Sequence, residues 1–529
     1  MMNNTANLCS GLAYQAKTCP QAPALFVDGT LHTYAEIAEN TSRIASWILK
    51  HTGQTGPRVG ILASRSLTAY VGLLGAAWAG AAYVPLNPAF PSSRLREMIK
   101  LARLDALVVD RSGLRHLPDL ANDLPCAKLI PFPTQHPPDG CDSLDGVSPN
   151  SAPVPVPHEA LAYIMFTSGT TGHPKGISVS TGNVFHLLAS LQERYQIIPE
   201  DRLSQFFELS FDLSVFDIFM AFSNGASLYV IPEPQLTNPV PFIRDHALSI
   251  WFSVPSLVGA LGQMNLLRPG LLPSLRLSLF FGEPLPTTSA HLWQEAATHS
   301  RLDNLYGPTE ATVACMVEEF TETENTAERG IVAIGKPLPG LRTVVVDDNL
   351  RLLRPGETGE LAVSGPQVAL GYLDNPALTA ARFPTWHHDD TGLCRWYLTG
   401  DLARQDDTGR FHFLGRVDNQ VQIHGHRVEL DEVEQHLREV SGLDTAVVIF
   451  IDSPDVTKRQ FLGVVTDPNL NLQQLKRTMG QRIPGYMVPR RILCLDELPR
   501  NASGKIDRRA IGEAARQIIG LQNTGKAHS

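Results

Sequence analysis

The apolar run Leu161 to Phe166 stops abruptly at a stretch of glycines and hydroxyls, Thr167-Ser168-Gly169-Thr170-Thr171-Gly172-His173-Pro174-Lys175-Gly176. A run that short, ended by Gly and Ser/Thr, predicts a buried strand feeding a loop. Backbone N–H groups, hydroxyls and the Lys175 cation in such a loop can together cradle a polyphosphate. The spacing is not that of G-x-x-x-x-G-K-[ST], because the second glycine, counted from Gly169, would fall on Pro174. Taken alone, the loop could also be a plain Gly/Thr turn.

Strand-like and helix-like stretches alternate along the chain to about residue 335, the pattern of α/β layers. With 529 residues, 43% apolar and 18% charged, the chain is globular and exceeds one ordinary core, so two or more domains are expected. The net charge of −9 offers no basic footprint for nucleic acid or an acidic membrane surface. Ala69 to Val84 is free of charge, but it is rich in Ala and Gly, ends at Pro85 and is short for a membrane span, so a buried helix is expected there. Met1 to Ser10 lacks a signal-peptide pattern. The seven cysteines never form C-x-x-C, which fits reduced thiols in the cytosol and no zinc site.

Residues 134–157, rich in Pro, Ser and Asp, read as a connection. From Leu341 to Phe413 short β runs alternate with turn clusters, predicting a β-rich subdomain over about 336–417. His387-His388-Asp389-Asp390 reads as a solvated loop. Beyond Asp418 the chain becomes more charged. Leu430, Val433, Leu437 and Val440 mark an amphipathic helix, 446–451 and 461–465 read as strands, and 472–483 as a helix. After Arg508 only 21 residues remain.

Further segments accompany the loop: Leu31-His32-Thr33-Tyr34-Ala35-Glu36; Ala79-Gly80-Ala81-Ala82-Tyr83-Val84-Pro85-Leu86-Asn87-Pro88; Phe211-Asp212-Leu213-Ser214; Asn304-Leu305-Tyr306-Gly307-Pro308-Thr309-Glu310; Gly359-Glu360-Leu361; Tyr397-Leu398-Thr399-Gly400-Asp401; Gly415-Arg416-Val417-Asp418; Gly425-His426-Arg427-Val428-Glu429-Leu430; and Asn501-Ala502-Ser503-Gly504-Lys505-Ile506-Asp507-Arg508. In this order they resemble the signatures of the adenylate-forming enzymes: acyl-CoA synthetases, luciferases and the adenylation domains of nonribosomal peptide synthetases. The resemblance runs from about residue 31 to 508.

It implies a large N-terminal α/β domain over 1–417, with two sheets packed with helices and a small β-barrel-like subdomain. A small mobile α+β lid domain over 418–529 would follow. The implied activity is that of an ATP-dependent ligase: a carboxylate attacks the α-phosphate of ATP, pyrophosphate leaves, and the acyl adenylate is passed to a thiol. Both partners are anionic, so the residues chiefly position them and neutralise charge.

The resemblance assigns Thr167, Ser168, Gly169, Thr170, Thr171, Gly172 and Lys175 to the β- and γ-phosphates, Glu310 to magnesium, and Thr309 to the α-phosphate. Tyr306 would stack on adenine beside Leu305, Asn304 would bond the adenine edge, and Asp401 would accept the ribose hydroxyls with Arg416 nearby. Lys505 is implied as the catalytic lysine, its ammonium bridging carboxylate and reacting phosphate where charge builds up. Asp418 would be the hinge between an adenylation and a thioester arrangement, the latter using the loop around Gly425. Gln422 stands where many adenylation domains carry Lys.

Asp212 points to an amino acid, since a carboxylate in an apolar pocket needs a cation and the substrate ammonium would supply it. The competing reading is that Asp212 caps the following helix. Aligned by motif, Leu213, Phe216, Ser253, Phe280, Gly282, Leu305, Val313 and Ala314 would line a small apolar pocket, suited to L-proline first, then alanine or valine. The tail after Arg508 is too short for a carrier domain with its Gly-Gly-x-Ser site, so a free-standing enzyme is expected, and its partner would be a separate phosphopantetheinylated carrier protein. An acid–CoA ligase and a D-alanine–carrier ligase are the alternatives; a nucleotide-binding protein without catalysis is the reading from another class.

Overall fold

The computed structural model describes residues 5–53, 56–125, 127–133, 138–169, 173–321, 327–328, 330–388, 392–423, 425–451, 460–500 and 506–518. Lys505, Thr170, Thr171 and Gly172 lie outside these residues, as do Asn501 to Gly504, Asp389 and Asp390. The chain divides into two compact units. The first comprises residues 1–88, 98–166 and 175–417; the second comprises 89–97, 167–174 and 418–529. The chain thus changes unit at Asp418, and the second unit also takes two short segments, one of them most of the Gly/Thr loop.

The first unit is built on two large sheets. The seven-stranded one runs, edge to edge, through Gly371–Tyr372, Lys175–Ser180, Leu161–Thr167, Ala82–Leu86, Arg58–Leu62, Ala106–Val109 and Ala127–Leu129. The nine-stranded one runs through Lys336–Pro337, Met316–Phe320, Arg301–Tyr306, Leu277–Phe280, Ile250–Ser253, Arg202–Gln205, Ser227–Val230, Pro23–Val27 and Thr30–Thr33. Its central strands are parallel, with Ser253 beside Phe280 and Phe280 beside Asn304. Parallel strands covered by helices on both faces read as near-continuous apolar runs, as Ala106–Val109 and Leu161–Phe166 do.

Helix Leu67–Trp78 is buried on all sides, and helix Leu213–Asn224 is buried from Leu213 through Phe222. The helix expected over Ala69 to Val84 therefore stops early. Gly80 adopts φ +72°, a left-handed turn that suits glycine, and Ala82–Leu86 continues as a strand rich in β-formers. The Leu31–Glu36 motif proves to be a helix start. The Thr33 hydroxyl accepts from the Glu36 N–H (3.3 Å) and a Glu36 carboxylate oxygen accepts from the Thr33 N–H (2.8 Å), a capping box for Tyr34–Thr52.

Where a barrel-like subdomain is expected, a five-stranded antiparallel sheet forms around the long strand Gly392–Gln405, which pairs with Thr358–Ser364, Thr385–His388 and Phe411–Arg416, while Arg342–Val346 forms the edge. His387 and His388 thus end a hairpin strand; only the Asp389-Asp390 part of that segment lies outside the description.

In the second unit, Val447–Ile451, Gln460–Val465 and Arg491–Cys494 form a sheet. Side chains alternate between its faces. Val448, Phe461 and Val465 pack with Val433 and Leu437 of helix Leu430–Ser441, whereas Val447, Ile449, Leu462 and Val464 pack with Ile511 and Ala515 of helix Arg508–Ile518. Gln420–Ile423 and His426–Glu429 make a separate two-stranded ribbon, with Gln422 opposite Arg427. Among the described residues no helix is long and apolar enough to cross a membrane, and the six described cysteines are free.

Candidate active site

In the first unit the site residues gather where the parallel strands of the nine-stranded sheet end. Strand Arg301–Tyr306 delivers Asn304, Leu305 and Tyr306, and the chain then turns through Gly307 into a short 3-10 turn at Thr309–Ala311. A Cβ on Gly307 would lie 2.3 Å from the Val313 carbonyl oxygen, so only glycine fits there. Thr312 (φ 57°) and Val313 (φ 62°) follow, two consecutive β-branched residues in the left-handed region. Such positions cost on the order of 1–3 kcal/mol each and persist where surrounding structure holds them.

The holder is Gln367. Its buried amide donates to the Ala314 carbonyl at 2.7 Å and, more weakly, to the Ala311 and Thr312 carbonyls at 3.4 Å. The Thr312 hydroxyl donates to the Gln367 carbonyl oxygen at 2.6 Å.

This strained loop completes the surroundings of Asp212. The Asp212 carboxylate is buried and takes hydrogen bonds from the Thr309 hydroxyl and the Val313 N–H. Burial, and then the charge of Glu310, push its pKa up to about 6 against these bonds. Among the described residues no cation pairs with it. Although Asp212 stands at the N-cap position of helix Leu213–Asn224, its side chain makes no capping bond. The side chain therefore does not cap that helix.

Around it, Phe216 packs edge-on to Phe252 (5.3 Å between ring centroids), which also meets Phe207 (5.0 Å) and Phe281 (6.3 Å). Ser253 and Phe280 lie side by side on neighbouring strand ends, and the Ser253 hydroxyl accepts from the Trp251 indole at 2.8 Å. Phe280 packs against Trp293 at 5.6 Å. Leu213, Leu305, Val313 and Ala314 are buried, and Gly282 sits at φ +86°. Phe207 and Phe252 join this wall without any motif announcing them. Their only sequence signal is membership of aromatic runs, Phe206-Phe207 and Trp251-Phe252.

The Glu310 carboxylate is fully buried, and one oxygen accepts the Tyr372 hydroxyl at 2.8 Å. The Lys175 ammonium lies over the same Tyr372 ring, 5.6 Å from its centre. A magnesium ion that keeps several waters and takes one carboxylate suits this hard oxygen donor. Among the described residues no group of three or more His, Cys, Asp or Glu is placed to hold a metal on its own.

The Asp401 carboxylate accepts from the Tyr306 hydroxyl and pairs with Arg416, whose other arm donates to the Thr399 carbonyl at 3.2 Å. Burial, then the Asp401 charge, holds the Tyr306 phenol well above its usual range. The Asn304 amide donates to the Ala333 carbonyl at 2.8 Å, so of its polar ends the side-chain oxygen is the one left to accept from a ligand.

Within the second unit, the first residues of the Gly/Thr loop are engaged. The Ser168 hydroxyl donates to the Arg427 carbonyl (2.9 Å) and accepts from the Glu429 N–H (3.2 Å). The Gly169 N–H donates to a Glu432 carboxylate oxygen at 3.0 Å. Glu432 reads in the sequence as part of the polar face of an amphipathic helix, yet it is fully buried. Asp418 accepts from the Gln420 N–H at 3.2 Å where the chain passes into this unit.

Residues 12–373 match the family model described as AMP-binding enzyme and residues 432–505 the AMP-binding enzyme C-terminal domain, so the chain belongs to the AMP-binding enzyme family. Within it the chain is of the nonribosomal peptide synthetase adenylation-domain type. It is 32% identical over 509 residues to the delta-poly-L-ornithine synthetase of Acinetobacter baumannii, a match over 94% of this chain and 36% of that protein. It spans between 6% and 36% of the length of the first curated relatives it matches. Among solved structures it resembles the Vibrio cholerae adenylation domain AlmE in complex with glycyl-adenosine-5'-phosphate, with a TM-score of 0.84, 28% identity, and 96% of this chain and 98% of that one covered. It also resembles holo-PA1221, an NRPS protein containing adenylation and PCP domains, with a TM-score of 0.80, 25% identity, and 96% and 84% covered.

Proposed function

We propose that this chain uses ATP and magnesium to convert a small α-amino acid into its aminoacyl adenylate, and then transfers the aminoacyl group to the phosphopantetheine thiol of a carrier protein. The observation that carries the reading is Asp212: a buried carboxylate held only by neutral donors, with no cation paired with it among the described residues. A substrate ammonium would complete that site, and an acid without an amino group would leave it uncompensated. The glycyl adenylate bound to AlmE supports the same chemistry. The carrier step is supported by PA1221, where adenylation and PCP domains share one protein.

In this reading Tyr306 and Leu305 flank adenine, and the Asn304 side-chain oxygen accepts from its amino group. Asp401, already oriented by Tyr306 and Arg416, accepts the ribose hydroxyls. Thr309 approaches the α-phosphate and Glu310 holds magnesium, which would neutralise the polyphosphate. Thr167 to Gly172 and Lys175 take the β- and γ-phosphates, Lys505 stabilises the charge that builds on the reacting phosphate, and Asp418 is the hinge. Leu213, Phe216, Ser253, Phe280, Gly282, Leu305, Val313 and Ala314 bound the side-chain pocket, which Phe216 and Phe252 keep short. L-proline leads the substrate panel, followed by alanine, glycine and valine.

ATP–pyrophosphate exchange with all amino acids and a set of aliphatic and aryl acids tests the first half. Exchange with a small L-amino acid supports the reading, whereas exchange only with acids lacking the amino group refutes it. Mass spectrometry of carrier proteins and of CoA incubated with enzyme, ATP and that amino acid tests the second half. A loaded carrier is expected. Efficient formation of a CoA thioester with no carrier loaded would replace this with acid–CoA ligation, and preference for D-alanine would identify the D-alanine branch.

A further inference from the structure

Glu432 and Arg94 are 338 residues apart in the chain, and both are buried in the second unit, with relative exposures of 0% and 6%. One Glu432 oxygen takes the Arg94 guanidinium N–H at 2.7 Å, and the other takes the Gly169 N–H at 3.0 Å. Without the carboxylate, a buried guanidinium and a loop N–H would converge on one point, and both would be unpaired. That is an anion site, and arginine with a backbone N–H recognises phosphate as it recognises carboxylate. Gly169 belongs to the loop to which the proposed function assigns the terminal phosphates, and this inference rests on that assignment.

We propose that Arg94 is a further phosphate ligand of this loop, and that Glu432 is its internal occupant, which the β,γ-phosphates of ATP or inorganic pyrophosphate must displace. Glu432 therefore competes with polyphosphate for Arg94 and the Gly169 N–H. It lowers polyphosphate affinity by the fraction of molecules in which it sits in the site. A phosphate cannot bind there while the carboxylate does, so return of Glu432 favours release of pyrophosphate. AMP lacks the β- and γ-phosphates and is indifferent to the exchange.

Isothermal titration of the full chain with magnesium pyrophosphate, ATP and AMP tests this. Glu432→Gln keeps the shape and removes the charge. It should tighten pyrophosphate binding at least about tenfold, the size of one charge-assisted hydrogen bond, and leave AMP unchanged. In the double variant Arg94→Met with Glu432→Gln, which leaves no buried lone charge, pyrophosphate binding should fall below that of the unsubstituted protein, again with AMP unchanged.

A measurement on the unsubstituted protein stands independently of how the variants fold. Saturating pyrophosphate should speed hydrogen exchange in peptides spanning residues 426–437, and AMP should not. Unchanged pyrophosphate affinity in Glu432→Gln, a double variant that binds pyrophosphate as tightly as the single one, or identical exchange with pyrophosphate and AMP each overturns the inference. If the unsubstituted protein binds neither ATP nor pyrophosphate, the nucleotide reading itself fails. If it binds both and the variants behave alike, only the Arg94–Glu432 site fails.

Discussion

Asp212→Asn isolates the charge on which the amino-acid reading rests. The substitution preserves shape and keeps an oxygen to accept from Thr309, but it removes the negative charge. Burial and Glu310 raise the Asp212 pKa from 3.8 to about 6, a penalty on the ionised form of about 3 kcal/mol. A substrate ammonium beside the carboxylate must offset most of that. Losing one partner of such a desolvated pair typically costs ~2–5 kcal/mol. The amino-acid KM in ATP–pyrophosphate exchange should therefore rise about 10²- to 10³-fold, while the KM for ATP changes by less than about threefold.

The pH dependence gives a second readout. In the free protein the carboxylate forms only above a pH of about 6, so in the unsubstituted enzyme the amino-acid KM should fall as pH rises from 5 toward 7 and then level off. In Asp212→Asn that fall should disappear. Stability should move oppositely. A carboxyl whose folded pKa is raised contributes stability that is present below the unfolded value of 3.8 and is lost as pH rises through about 6, so the variant should unfold later than the parent at pH 7. Equal losses for ATP and amino acid, or a pH profile the variant shares with its parent, would refute the pairing of Asp212 with an ammonium.

Gln367→Leu removes the donor that pins the left-handed Thr312–Val313 segment. The Val313 N–H should then shift away from Asp212 and raise the amino-acid KM about tenfold, with little effect on ATP, as exchange kinetics would show. Asp217, buried in helix Leu213–Asn224 with both side-chain oxygens unpartnered among the described residues, is held well above the ordinary carboxylate range by burial. Asp217→Leu should stabilise the fold by about 1–3 kcal/mol at pH 7 in denaturant melts, with a smaller gain near pH 4. The parent is neutral in both states at acid pH and loses stability as the unfolded carboxyl ionises.

Much of the α/β order and most of the first unit's polar site were legible as residue types in sequence. Asp212, Thr309, Glu310, Tyr306 and Asp401 stand in short motifs that local sequence shows directly. Helix Leu430–Ser441 was legible from its apolar spacing, and the strands around it from β-formers. The uncharged stretch Ala69–Val84 misled, because a glycine turn divides this apolar run into helix and strand. Glu432, off the apolar face of helix Leu430–Ser441, is buried as well, because a helical wheel separates polar from apolar residues but cannot show that a polar face is covered.

Residue identities alone set out the groups on hand: a Gly/Thr loop with a lysine, the carboxylates of Glu310 and Asp401, and an acid, Asp212, at the head of an apolar stretch. Packing fixes which of those groups are already engaged. Gln367 holds a loop more than fifty positions away, Tyr372 reaches Glu310 from another part of the unit, Phe252 packs edge-on against Phe216, and Arg94 meets Glu432 across most of the chain. The reason is physical. A buried polar group must find a partner, but that partner need only be near in space, and local sequence carries no record of distance through the fold.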